Sequence, residues 1–501
     1  MNGILVYSGE QTAPPGRTGL PMIWRRLFGY FPASLAGGLA SFGAVYALTR
    51  LLSPAEYGFY ALALTTMGIV YTLSVTWAEA AAYRFAGAAL APAARANHIR
   101  TVMALLAASA ALAIALMSCA ILITADPTLR MALAAAMSTM VLTPLVNAAQ
   151  EMNRAQHRVS RYSTLRVIQD VGAFGLGTFL AWQTGLGAAA PFVGLASVLA
   201  LLAVIEGSRL WRESHGGRFD PTRIKPYLAY GVPVAVALTL NIALDAGDRF
   251  LIALILGPEA VGIYAAGYGI ADKTVGLLCI WAAAAGGPMM MAAWENDGPQ
   301  AVREVSAQVA RTLMLIAAPA ATGLALVAEP LSEVMIGEEM RAQAAQIIPW
   351  IALSGLINGF VLHYVSEAFQ LSRRTGLRAG LMVIPAVANI GLNIVLLPWI
   401  GLMGAVYATL ACYALALLLL ALVGRKLAPL SWPWIDFLRI GGACAAMAIA
   451  VRLVPAIGGF GELVIKAATG AVIYVLAAIA FDAAGARAAT QQFVRRRAQR
   501  I

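Results

Sequence analysis

Charged side chains stand inside two neighbouring apolar stretches of the sequence, where an ion is costly. Asp245, Asp248 and Arg249 occur in NIALDAGDRFLIALIL, and the next stretch contains Asp272 and Lys273. On a helix the first three share one face, so Asp245 and Arg249 can form an ion pair. Ionisable groups at membrane depth are candidates for function by default. The pattern therefore predicts either a site for a charged head group or a coupling ion, or a structural charge network.

Motifs of other chemistries are missing from the sequence. It contains no GxxxxGK[ST], HExxH or GxSxG motif and no His/Cys set with metal-ligand spacing. The four cysteines lie in apolar runs without CxxC spacing, as small buried side chains do. We therefore expect no enzymatic activity, no metal site and no cofactor.

The composition indicates that the chain is dissolved mainly in lipid. Sixty per cent of its 501 residues are hydrophobic, 12% are charged and the mean hydropathy is +0.77, whereas about a quarter of the residues in soluble domains are charged. Apolar runs of roughly 20 residues, each long enough to cross a bilayer as a helix, recur from end to end. These features predict an all-α integral membrane protein with about fourteen transmembrane helices. The predicted spans are 28–49, 57–82, 100–124, 128–149, 165–184, 187–207, 228–256, 262–291, 304–328, 346–370, 376–399, 402–423, 434–455 and 463–482.

Lys and Arg residues predict the orientation of these spans. Twenty-eight of the 35 fall on one side of the predicted map, five on the other side and two within spans. By the positive-inside rule both termini are cytoplasmic and the odd-to-even connections face outward. The same bias accounts for the net charge of +11, so no nucleic-acid partner is expected. Residues 1–21 lack the basic and apolar regions of a cleavable signal peptide.

One short segment occurs twice, as LLSPAEYGFYA at 51–61 and as ILGPEAVGIYA at 255–265, with an offset of 204. Two further pairs of similar segments follow in the same order: 154–166 with 367–378, and 185–202 with 401–418. Three matches in one order predict a duplicated six-helix unit, with both copies in the same orientation and a cavity between them. Each copy of the segment should form a tight outward hairpin, because Pro cannot continue a helix, Gly allows close backbone approach and Tyr anchors at the interface. The segment itself is predicted to be a turn and not a site.

The duplication divides the chain into predicted units. The charged cluster belongs to the second copy alone, because the matching positions of the first copy hold Ser41, Ala44, Val45, Gly68 and Ile69. The units are a cytoplasmic tail (1–27), an N-lobe of helices 1–6 (28–207), a cytoplasmic linker (208–227), a C-lobe of helices 7–12 (228–423), helices 13 and 14 (424–482) and a basic cytoplasmic tail (483–501).

Three segments resemble a known family. DRFLIALILGPEAVGIYAAGYGIAD (248–272), LLSPAEYGFYALA (51–63) and LPWIGLMGAVYATLACY (397–413) are similar to segments of polysaccharide flippases, the Wzx-type O-antigen and exopolysaccharide exporters of the MOP superfamily. The resemblance implies a multi-pass transporter of the bacterial inner membrane. It would move an undecaprenyl-diphosphate-linked oligosaccharide to the periplasmic leaflet by alternating access, for exopolysaccharide or lipopolysaccharide synthesis. Its partners would be that substrate, membrane lipids and other polysaccharide-assembly proteins.

The resemblance also implies roles for individual residues. Cationic side chains in the cavity of such a flippase suit a diphosphate or acidic sugars, and the candidates here are Arg249, Lys273, Arg50 and Arg84. The carboxylates that could bind a coupling proton or cation are Asp245, Asp248 and Asp272. From position alone, Arg50 can snorkel at the end of the first span, and Arg84 can form a helix-end pair with Glu79.

Three alternatives stay open. A lipid II flippase shares the fold, but it generally carries several arginines in its first two spans, whereas this chain has none in its first predicted span before Arg50. A drug/cation antiporter of the same superfamily usually has twelve helices. A membrane-embedded enzyme of polysaccharide assembly is the alternative of a different class, and short outward loops count against it.

Overall fold

The computed structural model describes residues 20–86, 92–155 and 158–487, and these residues form nineteen α-helices and no strand. The predicted tails lie largely outside these ranges. The helices are α1 (Leu20–Leu51), α2 (Pro54–Ser74), α3 (Thr76–Ala86), α4 (Pro92–Ile123), α5 (Pro127–Ala155), α6 (Val159–Gln183), α7 (Ala190–Glu213), α8 (Ile224–Ala246), α9 (Asp248–Leu256), α10 (Pro258–Ala283), α11 (Gly286–Asn296), α12 (Pro299–Leu326), α13 (Ala328–Met335), α14 (Glu338–Phe360), α15 (Glu367–Leu371), α16 (Thr375–Ile400), α17 (Leu402–Gly424), α18 (Trp434–Arg452) and α19 (Gly459–Ala480).

The predicted all-α membrane architecture is confirmed. Ten spans in the described part of the chain are long and apolar enough to cross a membrane, or eleven if the bent pair α2 and α3 counts as one. The predicted number of fourteen is not confirmed by this criterion. We call α1–α7 the N-lobe and α9–α17 the C-lobe, after the predicted division, whose residue boundaries stay predictions.

Each copy of the repeated segment forms the start of a long helix. Ser53 caps α2 through a hydrogen bond from the backbone N–H of Glu56, whose carboxylate in turn accepts from the N–H of Ser53. Pro54 is the first residue of α2, and Pro258 is the first residue of α10. Gly257 precedes Pro258 with a φ of +92°, a conformation that favours glycine. The predicted tight turns are present in both copies.

Several predicted spans are interrupted, among them the second and the seventh. The second bends by 50° between α2 and α3, and the seventh breaks at Gly247 between α8 and α9. The two halves of the seventh span have different neighbours, because α8 packs on α3 and α2 of the N-lobe whereas α9 packs on α10 and α16 of the C-lobe. Gly231 permits the first of these contacts, since a Cβ there would lie 2.0 Å from the carbonyl oxygen of Trp77. The prediction of one continuous helix over 228–256 is therefore wrong.

The predicted linker is short and fixed in place. Since α7 extends to Glu213 and α8 begins at Ile224, only ten residues separate these two long helices. The N–H of Arg218 donates to Asn97 Oδ1 at 2.7 Å, and the N–H of Asp220 donates to Thr101 Oγ1 at 3.0 Å. Hydrogen bonds from the Thr222 hydroxyl and from Arg223 lower the pKa of Asp220. The linker thus runs along the start of α4.

The last two helices lie against the outside of the C-lobe. They pack on each other, α18 contacts α12, and α19 contacts α13. Arg311 of α12 pairs with Asp436 of α18 at 2.6 Å, and the Tyr474 hydroxyl donates to the carbonyl of Leu315 at 2.7 Å. This arrangement agrees with two C-terminal helices that stand outside the duplicated unit.

Candidate functional site

A cavity of about 560 Å³ lies between the two lobes. Its walls come from α1, α2, α6 and α7 of the N-lobe and from α9 and α10 of the C-lobe. The side chains that line it include small and apolar residues together with a polar set. The polar set comprises Ser41, Tyr57, Tyr60, Arg166, Gln169, Asp170, Thr178, Arg249 and Lys273.

Two cations predicted from the sequence, Arg249 and Lys273, line the C-lobe wall of this cavity. Each is held by a hydroxyl of the other lobe: Arg249 Nη1 donates to Thr65 Oγ1 at 3.0 Å, and Lys273 donates to Ser41 Oγ. The guanidinium of Arg249 also lies 5.8 Å from the ring centre of Tyr268, within the range of a cation–π contact. Its Nε is buried and has no hydrogen-bond partner among the described residues. Among the described residues the guanidinium uses one N–H in a side-chain hydrogen bond, so it retains donors for a ligand in the cavity.

The N-lobe wall carries a third cation, Arg166, which is not among the candidates predicted from the sequence. Arg166 Nε donates to Asp170 Oδ2 at 2.9 Å, and both side chains line the cavity. Gln169, one residue before Asp170 on α6, accepts a hydrogen bond from Gln150 at 2.7 Å. A signal for this pair was present in the sequence, since Arg166 and Asp170 are spaced i, i+4 inside the predicted span 165–184.

Aromatic rings form another part of the wall. Tyr60 lies with its ring centre 5.4 Å from that of Phe192 and 5.8 Å from that of Tyr57. Phe174 of α6 also faces this space. Tyr57 and Tyr60 belong to the repeated segment, where they were predicted to anchor at the membrane interface. That role is wrong for both, because they face the cavity between the lobes.

Asp248 points away from the cavity into the C-lobe. The side chain is buried and accepts hydrogen bonds from the Tyr264 hydroxyl and, at 3.4 Å, from Thr409 Oγ1. Its Oδ1 has no hydrogen-bond partner in the described part of the chain, and neither does Oδ1 of the buried Asn393. Thr409, which donates to Asp248, and Asn389, which accepts from Asn393 Nδ2, line a small void of about 10 Å³. Unpartnered buried oxygens of this kind can accept a proton or ligate a cation.

The other predicted residues lie elsewhere. Asp245 belongs to α8, but its side chain lies outside the described residues. Asp272 is half-buried on α10 and is not part of the cavity lining, and Arg84 is exposed near the end of α3. Arg50 donates to the carbonyl oxygens of Tyr46 and Val334, both at 2.9 Å. It lines a separate cavity at the predicted outer side of the protein.

The predicted pairing of Glu79 with Arg84 is wrong, because the Glu79 carboxylate has other partners. Glu79 accepts hydrogen bonds from the Tyr71 hydroxyl and, at 3.1 Å, from Asn147 Nδ2. Tyr71 lies on α2 and Glu79 on α3, so the first of these bonds crosses the bend of the second span. Glu79 thus stabilises the bend.

Comparisons with known proteins bear on both sequence and fold. Residues 47–344 match a family described as "Polysaccharide biosynthesis protein". The fold is similar to that of the lipid II flippase MurJ in an inward closed conformation, with a TM-score of 0.73, 13% identity, and coverage of 90% of this chain and 98% of that chain. A comparison with curated proteins finds no match.

Two further solved structures share the fold at a lower TM-score. One is an inward-facing multidrug resistance MATE family transporter of the MOP superfamily, with a TM-score of 0.60, 13% identity, and coverage of 78% of this chain and 94% of that chain. The other is a MOP superfamily transporter from Pyrococcus furiosus, with a TM-score of 0.51, 13% identity, and coverage of 81% and 96%. The predicted MOP-superfamily fold is confirmed.

Proposed function

On the premise that this chain belongs to the polysaccharide biosynthesis protein family, we propose that it moves an undecaprenyl-diphosphate-linked oligosaccharide across the bacterial inner membrane. Transport would proceed by alternating access of the two lobes, with both termini in the cytoplasm. The product would serve the synthesis of a surface polysaccharide or an exopolysaccharide. The observation that carries the proposal is the cavity between the lobes, where three cations and several aromatic rings meet.

The charges of the cavity suit a diphosphate. Arg166, Arg249 and Lys273 line it together with one carboxylate, Asp170, which leaves an excess of positive charge. Guanidinium groups bind phosphate oxygens through two parallel hydrogen bonds, and an ammonium adds a compact point charge. Because the cations come from both lobes, a bound anion would contact both lobes at once. The aromatic rings beside them offer flat apolar faces and hydroxyls to the sugar.

An apolar cavity suits the lipid part of such a substrate. A second space, of about 340 Å³, lies between the C-lobe and the two C-terminal helices. Its lining is almost entirely apolar and includes Leu324, Met447 and Val475, with Lys466 as its charged member. Lys466 is paired with Glu462 at 2.5 Å. We assign this space to an acyl or prenyl chain, because burial of apolar surface is the interaction that it offers.

Asp248 is our candidate for ion coupling. Its unpartnered Oδ1 and that of Asn393 are oxygen ligands of the kind that hard cations prefer, and a carboxylate can instead take a proton. The next residue in the chain is Arg249, whose side chain faces the substrate cavity. Adjacent positions at the break of the seventh span thus face the proposed ion site and the proposed substrate site. Occupation of Asp248 would change the electrostatic field at Arg249.

Lipid II flippase activity is the second candidate. The similarity in fold to MurJ favours it, and its substrate offers the same combination of lipid, diphosphate and sugar. The cavity charges therefore support both candidates, and the identity of the accumulated intermediate separates them.

The proposal is tested by depleting the protein in its own host and analysing lipid-linked sugars. We expect complete oligosaccharide units to accumulate on the cytoplasmic leaflet, where an impermeant glycosidase added to intact spheroplasts does not reach them. Accumulated peptidoglycan precursor would identify the second candidate instead. Complete units on the outer leaflet that are not polymerised would indicate an assembly enzyme and contradict transport.

A matched pair of complementing variants makes the test specific. Lys273→Gln removes a cavity cation and should fail to complement. Arg130→Gln removes a cation that donates to the Thr124 carbonyl at a helix connection outside the cavity, and it should complement as the wild type does.

A further inference from the structure

We infer that the two copies of the repeated turn form the gate that closes the central cavity on its outer side, and that Gly58 and Gly262 set the closed position of this gate. The inference rests on the proposed alternating access and on the predicted orientation. It assigns a role to the segment that the sequence predicted to be only a turn.

The contact between the two turns is reciprocal. A Cβ on Gly58 would lie 1.8 Å from the carbonyl oxygen of Pro258, and a Cβ on Gly262 would lie 2.0 Å from the carbonyl oxygen of Pro54. Each glycine also approaches the other, since both of these Cβ positions lie 3.1 Å from the other glycine's backbone nitrogen. Pro54 and Gly58 correspond to Pro258 and Gly262 at the repeat offset of 204. Residue i thus contacts residue j in both directions, as at a two-fold axis.

The contact lies at one end of the cavity. Immediately before Gly58, Tyr57 lines the cavity, and three residues after Gly262, Ala265 lines it from the other lobe. Further along the same two helices, Leu64 and Gly269 continue the lining away from the turns. The first turns of α2 and α10 therefore close the space that the rest of these helices bounds.

A second contact between the lobes supports the same closure. A Cβ on Gly337 would lie 1.9 Å from the carbonyl oxygen of Thr49, and the N–H of Gly337 donates to Thr49 Oγ1 at 2.9 Å. The neighbouring Arg50 donates to the carbonyl of Val334, in the last turn of α13. A guanidinium at a helix C-terminus is favourable, because carbonyl groups and the negative end of the dipole are there. Arg50 therefore acts as a latch between the end of α1 and α13.

The glycines determine how closely the lobes approach. Ordinary contacts of a Cβ are 3.4–4 Å, so one methyl group at either glycine requires the two backbones to separate by more than 1 Å. The neighbours, chiefly the carbonyl groups of Pro258 and Pro54, are backbone atoms that cannot rotate away. A methyl group at either position would therefore prevent the two turns from closing fully, and the cavity would be accessible from outside.

The test measures access to the cavity from each side of the membrane and requires no substrate. Leu64 lines the cavity and is 38% exposed, so Leu64→Cys is a reporter. It is placed in a Cys119→Ser background, since Cys119 is the exposed native cysteine of the described residues and Cys279, Cys412 and Cys444 are buried. A membrane-impermeant maleimide is added to oriented vesicles of each sidedness, and the rate of labelling is measured.

We expect Gly58→Ala and Gly262→Ala each to increase labelling from the outer side at least threefold. Gly68→Ala on α2 and Gly276→Ala on α10 are matched controls, because a Cβ at either position meets nothing within 4 Å. They should label at the parent rate. The inference is overturned if the gate variants and their controls label alike, or if the increase occurs only from the opposite side.

Unfolding of a variant is recognised separately. In the background without the reporter, the three buried cysteines stay unlabelled in a folded protein and react in an unfolded one. If both gate variants unfold, the Arg50→Gln variant tests the gate instead, because it weakens the contact between α1 and α13 without adding volume. It should increase outer labelling, and an unchanged rate would overturn the inference. Increased labelling of the gate variants together with no transport of the proposed substrate by the wild-type protein would contradict the proposed function and retain the gate.

Discussion

At the scale of residues, Asp248 and Arg249 have opposite surroundings although they are adjacent in the chain. The carboxylate is enclosed by Tyr264 and Thr409 within the C-lobe, whereas the guanidinium lines the cavity and donates to Thr65 of the N-lobe. The helix that carries them starts at Asp248, directly after the break at Gly247. A change of charge on the carboxylate therefore acts on the guanidinium over a short distance through an interior of low dielectric constant.

Replacing the cavity cations should weaken substrate binding. A charge-assisted hydrogen bond contributes about 1.5–3 kcal/mol, which corresponds to roughly a tenfold to hundredfold loss of affinity. We expect Arg249→Gln to lower the affinity for undecaprenyl diphosphate by such a factor, measured by isothermal titration in detergent. Arg341→Gln, whose partner Glu338 is exposed, should retain the wild-type affinity. Equal affinities of the two variants would contradict the assignment of Arg249.

Replacing Asp248 should separate coupling from binding. Asp248→Asn keeps the shape of the side chain but cannot hold a proton or the charge that a cation requires. We expect its transport rate to lose its dependence on imposed proton and sodium gradients, while substrate affinity changes less than threefold. Asp126→Asn is the control, since Asp126 accepts from the N–H groups of Thr128 and Leu129 and Asn caps helices equally well. Full gradient dependence in Asp248→Asn would exclude the coupling role.

At the scale of elements, the seventh span joins the lobes through its two halves. Its first half, α8, packs on the N-lobe, and its second half, α9, packs within the C-lobe. His98 of α4 fixes the start of α8 through a hydrogen bond of 2.5 Å between Nδ1 and the hydroxyl of Tyr227. The Tyr227 ring in turn stacks on Phe85 at 4.9 Å between ring centres. Movement of the lobes must therefore either bend the span at Gly247 or detach α8.

A methyl group between α8 and α3 should destabilise the protein. In Gly231→Ala the added Cβ meets the Trp77 carbonyl, so the helices must separate, at a cost of about 1–3 kcal/mol. We expect a lower midpoint of thermal unfolding, followed by the fluorescence of a thiol-reactive dye. Gly175→Ala, on α6 with nothing within 4 Å of its Cβ, should leave the midpoint unchanged. An unaltered midpoint in Gly231→Ala would show that this contact contributes little.

The sequence predicted where the helices lie along the chain, but it did not predict which face of each helix points to the cavity. Apolar runs predict the helices, the resemblance implies that Arg249 and Lys273 are cavity cations, and both line the cavity. In a helix that is apolar on most faces, the sequence does not indicate which face meets the other lobe. Asp248 therefore faces the interior of the C-lobe whereas Arg249 faces the cavity, although spacing predicts them on one face. Arg166 was not predicted, for a different reason: it stands at the first turn of the predicted span 165–184, where a basic residue is typical of a span end.

At the scale of the whole molecule, duplication and divergence have separate consequences. The repeated turns preserve a reciprocal contact, with Gly58 against Pro258 and Gly262 against Pro54. The charged residues of the second copy have no counterparts at the matching positions of the first, where Ser41 instead accepts from Lys273. The shared features build the two-lobed frame, and the proposed chemistry combines Asp248, Arg249 and Lys273 of the second copy with Arg166 of the first.

The central claim is that this chain transfers a lipid-linked oligosaccharide between leaflets through the cavity between its lobes. The most direct measurement uses proteoliposomes loaded with a fluorescent undecaprenyl-diphosphate oligosaccharide and follows its exposure to a membrane-impermeant quencher. We expect wild-type protein to equilibrate the two leaflets, and the Arg249→Gln/Lys273→Gln double variant to do so at least tenfold more slowly. Equilibration by the wild type no faster than in protein-free liposomes, or at an equal rate by the double variant, would contradict the account.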